Sequence, residues 1–303
     1  MLMNALCAIR LSLLSLCFLP MVVHASLRLG APFSDGMVLQ RSSQAVIWGW
    51  ATAGETVRVD ASWGSRARSR AGADGYWILE IETPGAGGPH TISVEADEKI
   101  LLQDVLIGEV WLASGQSNME YALSKDKDAE AALNGANLPE IRLLHVGRRA
   151  LPAPLDTLTV QWQVCSPDTV ANFSAVAYYF AKKIHEELDV PVGIIDTCWG
   201  GTRVSPWTAP EAFAGSEEAF IENNRKVESN YARDLKKYES TGKGRRPTLH
   251  RGWSYLYNGM IHPLVPYTLQ GFLWYQGETN RSDGVAYGPK FKRMIESWRT
   301  AWG

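Results

Sequence analysis

A serine, a glycine pair, a glutamine and a carboxylate lie in three short polar segments of this sequence. The segments are SGQSN at residues 114–118, CWGGT at residues 198–202 and QGETN at residues 276–280. These residue types suit acyl transfer, in which a serine hydroxyl attacks a carbonyl carbon and N–H donors stabilise the resulting oxyanion. The sequence therefore offers Ser117 as a candidate nucleophile, and glycine and glutamine N–H groups as candidate donors.

Each of these segments follows an apolar run that predicts a buried strand. The runs are DVLIGEVWLAS from residue 104, VGIIDT from residue 192 and GFLWYQ from residue 271. Ligand sites in open α/β sheets form beyond the carboxyl ends of the strands. One such segment is weak evidence, since glycine often simply ends an element, but three together predict a shared crevice.

Each segment also has a purely structural interpretation. Ser117 precedes the helix-compatible run MEYALSKDKDAEAAL at residues 119–133, and serine is a good helix N-cap. The positive end of such a helix would equally favour negative charge. Met119 replaces the second glycine of a G-x-S-x-G elbow, which argues against the α/β-hydrolase fold. The other two segments are compatible with a plain loop and a surface turn, so the residues alone leave both roles of Ser117 open.

Residues 26–103 predict a small β-sandwich. Apolar and polar residues alternate in AVIWGWATAGETVRVDASW and again in ADGYWILEIETPGAGGPHTISVEA. Turns are expected at Ala53-Gly54, at Asp74-Gly75 and at Gly87-Gly88-Pro89. Short alternating strands separated by glycine and proline turns are typical of sandwiches.

Residues 104–303 predict an α/β domain. The apolar runs IRLLHV, VGIIDT and GFLWYQ alternate with helical patterns such as SAVAYYFAKKIHEELD. Strands that alternate with helices indicate a parallel sheet with helices on both sides. Residues from about 210 to 250 are polar and helix-prone, with a basic stretch TGKGRRPTLHR. They predict a solvated insertion, and a basic rim for an acidic sugar is the less favoured alternative.

Composition and the amino terminus indicate an exported globular protein. The net charge of −2 gives no global field for nucleic acid or anionic lipid. Residues 1–25 have a sparse positive start and a short apolar core, which predict a signal peptide cleaved after Ala25 and a secreted or periplasmic protein. The apolar core is too short for a membrane span. Cys165 and Cys198 remain after cleavage, and their spacing does not decide between a disulfide and two buried thiols.

The combined motifs resemble the sialate O-acetylesterase family of SGNH (GDSL-like) hydrolases. The stretches that carry the resemblance are GEVWLASGQSNMEYAL, CWGGT, YNGMIHPLVPY and LWYQGETN, with FSDGMVLQR and WGWATAGE nearer the amino terminus. The resemblance implies a three-layer α/β/α hydrolase with a β-rich accessory domain. It also implies removal of O-acetyl groups from sugars, notably sialic acids, without a metal or other cofactor.

The resemblance assigns roles to residues of the three polar segments. Ser117 matches the nucleophile, and its backbone N–H is expected to help hold the oxyanion. A glycine of the WGGT motif, Gly201 in first place and Gly200 in second, and Gln276 match the other oxyanion-hole positions. The polar neighbours expected to support this machinery are Asn118, Glu278 and Asn280.

The family's general base and its carboxylate come from a D-x-x-H motif that this sequence does not contain. The six histidines are His24, His90, His145, His185, His250 and His262. None has an aspartate three positions before it, so each is expected to be structural or exposed, and His262 is the least unsuitable substitute. The sequence therefore predicts an incomplete copy of a longer protein. It also predicts an open apolar edge beside GFLWYQ, and hence self-association.

Two other functions stay open at this point. An esterase for acetylated xylan or a related polysaccharide would share the same machinery. A non-catalytic carbohydrate-binding protein would use the β domain and its tryptophans, and would explain the missing D-x-x-H motif. An O-acetylated sugar is the expected partner of either esterase, with no nucleic acid or membrane involved.

Overall fold

The computed structural model describes residues 26–303, so the predicted signal peptide and its cleavage after Ala25 lie outside the described residues. The strands are β1 (Arg28–Leu29), β2 (Val38–Gln40), β3 (Gln44–Trp50), β4 (Thr56–Ala61), β5 (Arg66–Arg70), β6 (Tyr76–Glu82), β7 (Gly87–Glu95), β8 (Lys99–Gly115), β9 (Leu138–His145), β10 (Gln163–Cys165), β11 (Val192–Cys198) and β12 (Gly271–Tyr275). The α-helices are α1 (Ala129–Asn134), α2 (Pro167–Val170), α3 (Ala175–Leu188), α4 (Glu217–Thr241) and α5 (Tyr287–Trp302). Shorter helical turns span Leu123–Lys125, Ser205–Trp207, Pro210–Phe213, Tyr257–Ile261, His262–Leu264 and Glu278–Ala286.

The strands form two sheets. The smaller sheet has the order β1-β3-β6, and the larger has the order β10-β9-β11-β8-β7-β4-β5, with β2 and β12 also paired to β8. Pairing is antiparallel among β4, β5 and β7 and parallel among β9, β11, β8 and β12. The protein is therefore a mixed α/β fold, in which the predicted parallel sheet is one part of a larger mixed sheet.

Alternation along the amino-terminal strands explains how the smaller sheet packs. In β6 the side chains of Trp77, Leu79 and Ile81 are buried, while those between them face outward. Trp77 lies in the same buried cluster as Val59 and Val94 of the larger sheet. Apolar faces of both sheets thus share one core, as the period-two pattern requires.

Strand β8 connects the amino-terminal strands with the parallel ones. Its first half pairs with β7, and its second half pairs with β11 and β12. Asp104 lies within this strand with φ 54°, and its carboxylate binds the guanidinium of Arg142 on β9 at 2.6 Å. Gln40 also joins β2 to β8, because its side-chain oxygen accepts the N–H of Val110 at 2.8 Å. The predicted boundary between residues 103 and 104 falls inside this strand.

Helices cover the parallel strands. Ser174 caps α3 by accepting the N–H of Ala177, and α3 buries Tyr178 and Ala181, as its amphipathic pattern predicts. Aromatic side chains of α5 pack edge-on against Phe272 and Trp274 of β12. Helix α4, within the predicted polar insertion, buries only Asn224. Among residues 26–303, no helix combines the length and the apolar character needed to cross a bilayer.

The helix predicted at residues 119–133 is mostly wrong. A turn follows Ser117, and only the last part of the run, α1, is an α-helix. The N–H of Leu123 bonds to the carbonyl of Phe173 at 3.0 Å, and that of Ser124 bonds to the carbonyl of Ala171 at 2.9 Å. These bonds to a distant segment replace the i→i−4 bonds of a helix. Ser117 is therefore not a helix cap.

The turn predicted at Gly87-Gly88-Pro89 is also wrong, because these residues belong to strand β7. The register between β7 and β8 shifts between Gly87 and His90. A Cβ on Gly88 would lie 2.9 Å from the carbonyl oxygen of Val105. The glycine thus serves a close approach of two strands, as at a bulge, rather than a reversal of the chain.

Both cysteines of the described range are free and buried. Burial raises the pKa of the Cys165 thiol to about 12, and burial beside Asp196 raises the pKa of the Cys198 thiol still further. The question of a disulfide, left open by the spacing, is answered by two unpaired, protonated thiols.

Candidate active site

The three polar segments meet where three parallel strands end together. Gly115 of β8 is in register with Cys198 of β11 on one side and with Tyr275 of β12 on the other. Hydrogen bonds join the first residues beyond these strand ends. Trp199 N–H donates to the carbonyl of Gly115 at 3.1 Å, and Gln116 N–H donates to the carbonyl of Tyr275 at 3.0 Å. The sheet therefore delivers SGQSN, CWGGT and QGETN to one place.

Glycine is required at the end of β8. Gly115 has φ 144°, and a Cβ there would lie 2.2 Å from the carbonyl oxygen of Tyr275. A side chain would push the ends of β8 and β12 apart. The absence of a side chain lets the SGQSN and QGETN segments start in contact.

Gln276 is a hub between the three segments. Its amide nitrogen lies 3.0 Å from Oε1 of Gln116, 3.1 Å from the carbonyl of Thr202 and 2.7 Å from Oδ1 of Asn280. Its side-chain oxygen accepts the hydroxyl of Tyr287 at 2.9 Å. The amide has two hydrogens for three protein acceptors, so the expected oxyanion role of Gln276 would require it to give up a bond made here.

Gln116 is an organising residue that the sequence reasoning did not single out. Its side chain is buried, and its Oε1 accepts from Gln276 and from the N–H groups of Gly277 and Thr279 at 3.4 and 3.2 Å. A buried amide oxygen aimed at a loop fixes that loop's backbone. Its position inside SGQSN was the only signal that the sequence carried.

The expected supporting residues lie within the same network. The side-chain amide of Asn118 donates to Oε1 of Glu278, which joins SGQSN to QGETN. Asn280 is buried, and its Oδ1 also accepts the N–H of Val204 at 3.0 Å, just beyond CWGGT. Its amide donates to Asp283 at 2.8 Å. These contacts order the loops around Ser117 rather than touch its hydroxyl.

Ser117 itself is exposed at the centre of these loops. Within residues 26–303, neither its hydroxyl nor its backbone N–H has a hydrogen-bond partner, and the N–H of Gly201 also has no acceptor. Gly201 has φ 78°, a conformation that suits glycine. A hydroxyl and two unengaged N–H groups supply the nucleophile and the oxyanion donors of an acyl-transfer site, which also needs a general base.

Gly200, the second choice for an oxyanion donor, has its N–H engaged. It donates to Oε2 of Glu120 at 2.9 Å, and Glu120 also binds Arg148 through its other oxygen, at 2.6 Å from Nε. A Cβ on Gly200 would lie 3.4 Å from Cβ of Ser117. Glu120 therefore holds the glycine turn against the serine. The sequence reasoning missed Glu120 because it assigned that position to a helix.

No histidine in the described range is hydrogen-bonded to Ser117. His262, the least unsuitable substitute, places Nδ1 3.2 Å from the carbonyl of Leu155. His145 is the one with a carboxylate partner, because its Nδ1 lies 3.1 Å from Oδ2 of the buried Asp196. That hydrogen bond, opposed in part by burial, raises the pKa of His145. The remaining described histidines are His90, His185 and His250.

Charges near the glycine turn are partly neutralised. Arg203, which comes after CWGGT, binds Asp283 at 3.1 Å, and Lys290 binds the same carboxylate at 2.8 Å. These contacts lower the pKa of Asp283, with the bond to Lys290 as the main cause. Among the residues described, no group of three or more His, Cys, Asp and Glu side chains is arranged to hold a metal ion.

Comparison with known proteins places this chain in a family. Residues 107–303 match the family described as carbohydrate esterase, sialic acid-specific acetylesterase. The chain belongs to this carbohydrate esterase family. The matched region contains all three polar segments, and so the resemblance inferred from the motifs is confirmed.

Individual relatives agree with the family match. The sialate O-acetylesterase of Pongo abelii is 31% identical over 309 residues, which cover 93% of this chain and 55% of the relative. The enzyme of the same name from Mus musculus is also 31% identical, covering 90% of this chain and 56% of the relative. The crystal structure of a carbohydrate acetylesterase from Xanthomonas citri superposes with a TM-score of 0.77 at 32% identity, covering 92% of this chain and 58% of that one. The chain thus spans little more than half the length of these family members.

Proposed function

We propose that this protein is a secreted carbohydrate O-acetylesterase that removes acetyl groups from sialic acids or related glycans. The observation that carries the proposal is the exposed Ser117 between two unengaged backbone N–H groups at the ends of parallel strands. Membership of the acetylesterase family supports it. An O-acetylated sugar is then the substrate.

The proposed chemistry is a two-step acyl transfer. Ser117 Oγ attacks the acetyl carbon while a general base takes its proton, and the N–H groups of Ser117 and Gly201 hold the oxyanion. The bond to the sugar oxygen then breaks, and that oxygen receives the proton. Water releases acetate from the serine in the second step. We assign Gln276 to holding the loops in place, because its amide hydrogens are already bonded within the protein.

The finer architecture is part of the same proposal. We assign the parallel strands and their helices to a three-layer SGNH hydrolase, and residues 26–103 to a β-sandwich that precedes it. The shared core of the two sheets supports the sandwich. The parallel order of β9, β11, β8 and β12 supports the hydrolase assignment.

Acetate release tests the proposal. The substrates are 9-O-acetyl-N-acetylneuraminic acid and acetylated xylan, and the proteins are the 303-residue chain and the complete product of its source gene. Ser117→Ala should abolish release, whereas Ser124→Ala, an exposed serine in a neighbouring turn, should not change it. Release that survives Ser117→Ala would exclude this nucleophile, and preference for xylan would favour a polysaccharide esterase.

A non-catalytic binding protein is the competing function. It is favoured by the absence of a histidine bonded to Ser117 within residues 26–303. Binding of an acetylated glycan without release of acetate, by both forms of the protein, would establish it and overturn the esterase proposal.

A further inference from the structure

A basic cavity of about 450 Å³ lies beside the glycine turn, on the side of Gly200. Its walls come from the carboxyl-terminal part of α4 and from the loop after it. The side chains that define this basic cavity are Trp199, Lys237, Lys243, Arg245, Arg246 and His250. Most of them belong to the segment for which the sequence favours a solvated insertion over a basic rim for an acidic sugar.

The four cations of the basic cavity lack carboxylate partners. Within the described residues, Lys237, Lys243, Arg245 and Arg246 form no ion pair, and the one acidic lining residue, Asp234, is paired with Arg233 at 3.0 Å. Most basic residues near the site behave differently, since Arg148, Arg203 and Lys290 all bind carboxylates. Unneutralised cations around a concave surface attract anions.

Stacked rings line one wall of the basic cavity. Trp199 and His250 lie with ring centroids 5.4 Å apart and planes at 27°. The pKa of His250 is lowered, first by burial and then by the positive charges of Arg251, Arg245 and Arg148. Trp199 is buried in this stack, so the ring surface beside the free cations is that of the part-exposed His250. Such a surface suits a sugar that carries an acidic group.

The basic cavity adjoins the candidate nucleophile. Trp199 and Gly200 line it, and a Cβ on Gly200 would lie 3.4 Å from that of Ser117. A ligand in the cavity would therefore be next to a sugar ester presented to Ser117. This adjacency distinguishes the cavity from an ordinary basic surface patch.

We propose that the basic cavity is a subsite for the carboxylate of an acidic sugar, either a sialic or a uronic acid. Arg245 and Arg246 hold the carboxylate, and His250, stacked on the buried Trp199, supports the ring. The inference rests on the proposed function, since it extends the substrate around the same serine, but binding is measurable without catalysis.

Calorimetric titration of the chain tests this subsite. The probes are 3′-sialyllactose, trigalacturonate and, as the neutral control, lactose. At least one acidic probe should bind, and the double variant Arg245→Gln/Arg246→Gln should weaken it about tenfold or more through loss of charge-assisted bonds. The matched variant Arg68→Gln/Arg299→Gln neutralises two arginines that lie elsewhere, and it should leave the Kd unchanged.

The outcome also identifies the sugar. Binding of sialyllactose alone assigns the subsite to sialic acids, and binding of trigalacturonate alone assigns it to uronic acids. Equal binding of lactose, or an unchanged Kd in the cavity variant, would overturn the proposal. A second readout in the wild-type chain is NMR titration of His250, whose pKa should rise when an anion docks and should not move with lactose.

Failure of this inference is separable from failure of the esterase assignment. Suppose that the wild type releases acetate and that Arg245→Gln/Arg246→Gln does not change the binding of the acidic probes. That result would overturn the subsite proposal alone. Probe binding through the basic cavity, with no acetate released from any ester, would overturn the esterase proposal and support the subsite proposal.

Discussion

Glu120 accepts the backbone N–H of Gly200 at 2.9 Å, and so a carboxylate three residues after Ser117 controls the glycine turn that faces it. The same carboxylate binds Arg148, which lies over the ring of Trp199 at 5.6 Å. The charge-assisted hydrogen bond between Gly200 N–H and Glu120 thus holds the glycine turn in place. Of the two glycine N–H groups, only that of Gly201 has no acceptor among the described residues.

Replacing Glu120 should release the glycine turn. In Glu120→Ala, the Gly200 amide loses its acceptor, and its hydrogen exchange, followed by NMR, should accelerate about tenfold or more. Glu120→Gln keeps an acceptor and should retain most of the protection. Glu130→Ala, an exposed glutamate on α1, serves as the control. Unchanged protection in Glu120→Ala would show that the turn is held by other contacts.

Removing the Gln276 side chain should destabilise the fold. Gln276→Ala leaves acceptors of Gln116, Thr202 and Asn280 without their shared donor. A cost of about 1–3 kcal/mol is expected from unsatisfied part-buried groups. Urea unfolding measures it, with Gln163→Ala, which removes an exposed side chain of β10, as the control. A cost equal to that of the control would mean that the loops hold together without the hub.

Adding one methyl group at the end of β8 should be more damaging. Gly115→Ala combines a left-handed backbone with a Cβ 2.2 Å from the carbonyl of Tyr275. Each effect costs about 1–3 kcal/mol, so a loss of about 3 kcal/mol or more in the free energy of unfolding is expected. Gly85→Ala, where a Cβ meets no atom within 4 Å, is the matched control. Similar stabilities of the two variants would contradict the close approach.

The pair of His145 and Asp196 should make stability depend on pH. The pKa of His145 is raised in the folded state, above a value of about 6.5 in the unfolded chain. The stabilisation is therefore complete below that unfolded value and is lost as the pH rises through the folded pKa. Because the His145 side chain is 58% exposed, the effect should be small.

Urea unfolding of wild type and His145→Gln between about pH 5.5 and pH 8.5 measures this effect. The difference in unfolding free energy should shrink as the pH rises. Gln163→Ala, which removes an exposed side chain that does not titrate, should give a difference that does not vary with pH. A constant difference for His145→Gln would exclude the linkage.

The exposed side of β12 is where the sequence predicts self-association. In the described chain β12 pairs with β8 alone, and Tyr275 is 46% exposed. Light scattering of the chain should show association, which Tyr275→Lys should reduce by placing a charge at the exposed end of this strand. A monodisperse monomer would contradict the prediction.

Local pattern was sufficient for the elements whose stabilising contacts are local. Helix α3 was predicted because Ser174 and an amphipathic run carry its cap and its buried face. The strands before the three polar segments were predicted because they are apolar throughout. Pattern failed after Ser117, where Leu123 and Ser124 bond to a segment about 50 residues away.

The same limit applies to the site. The positions of Ser117, Gly201 and Gln276 came from three motifs and a rule about strand ends. The motifs did not predict which acceptor each N–H group binds. The N–H of Gly200 binds Glu120, and the amide of Gln276 binds acceptors in all three segments. Hydrogen-bond partners depend on three-dimensional proximity, which residue types do not encode singly.

Strand β8 has a practical consequence for the expression of the region that the family match covers. The family match begins at residue 107, in the middle of this strand. A fragment cut there would lose β7, the clamp between Asp104 and Arg142, and the bond from Val110 to Gln40. Strand β8, which ends two residues before Ser117, would then begin at the new chain terminus without its pairing to β7. The region that the family match covers is thus smaller than the unit whose contacts hold β8 in place.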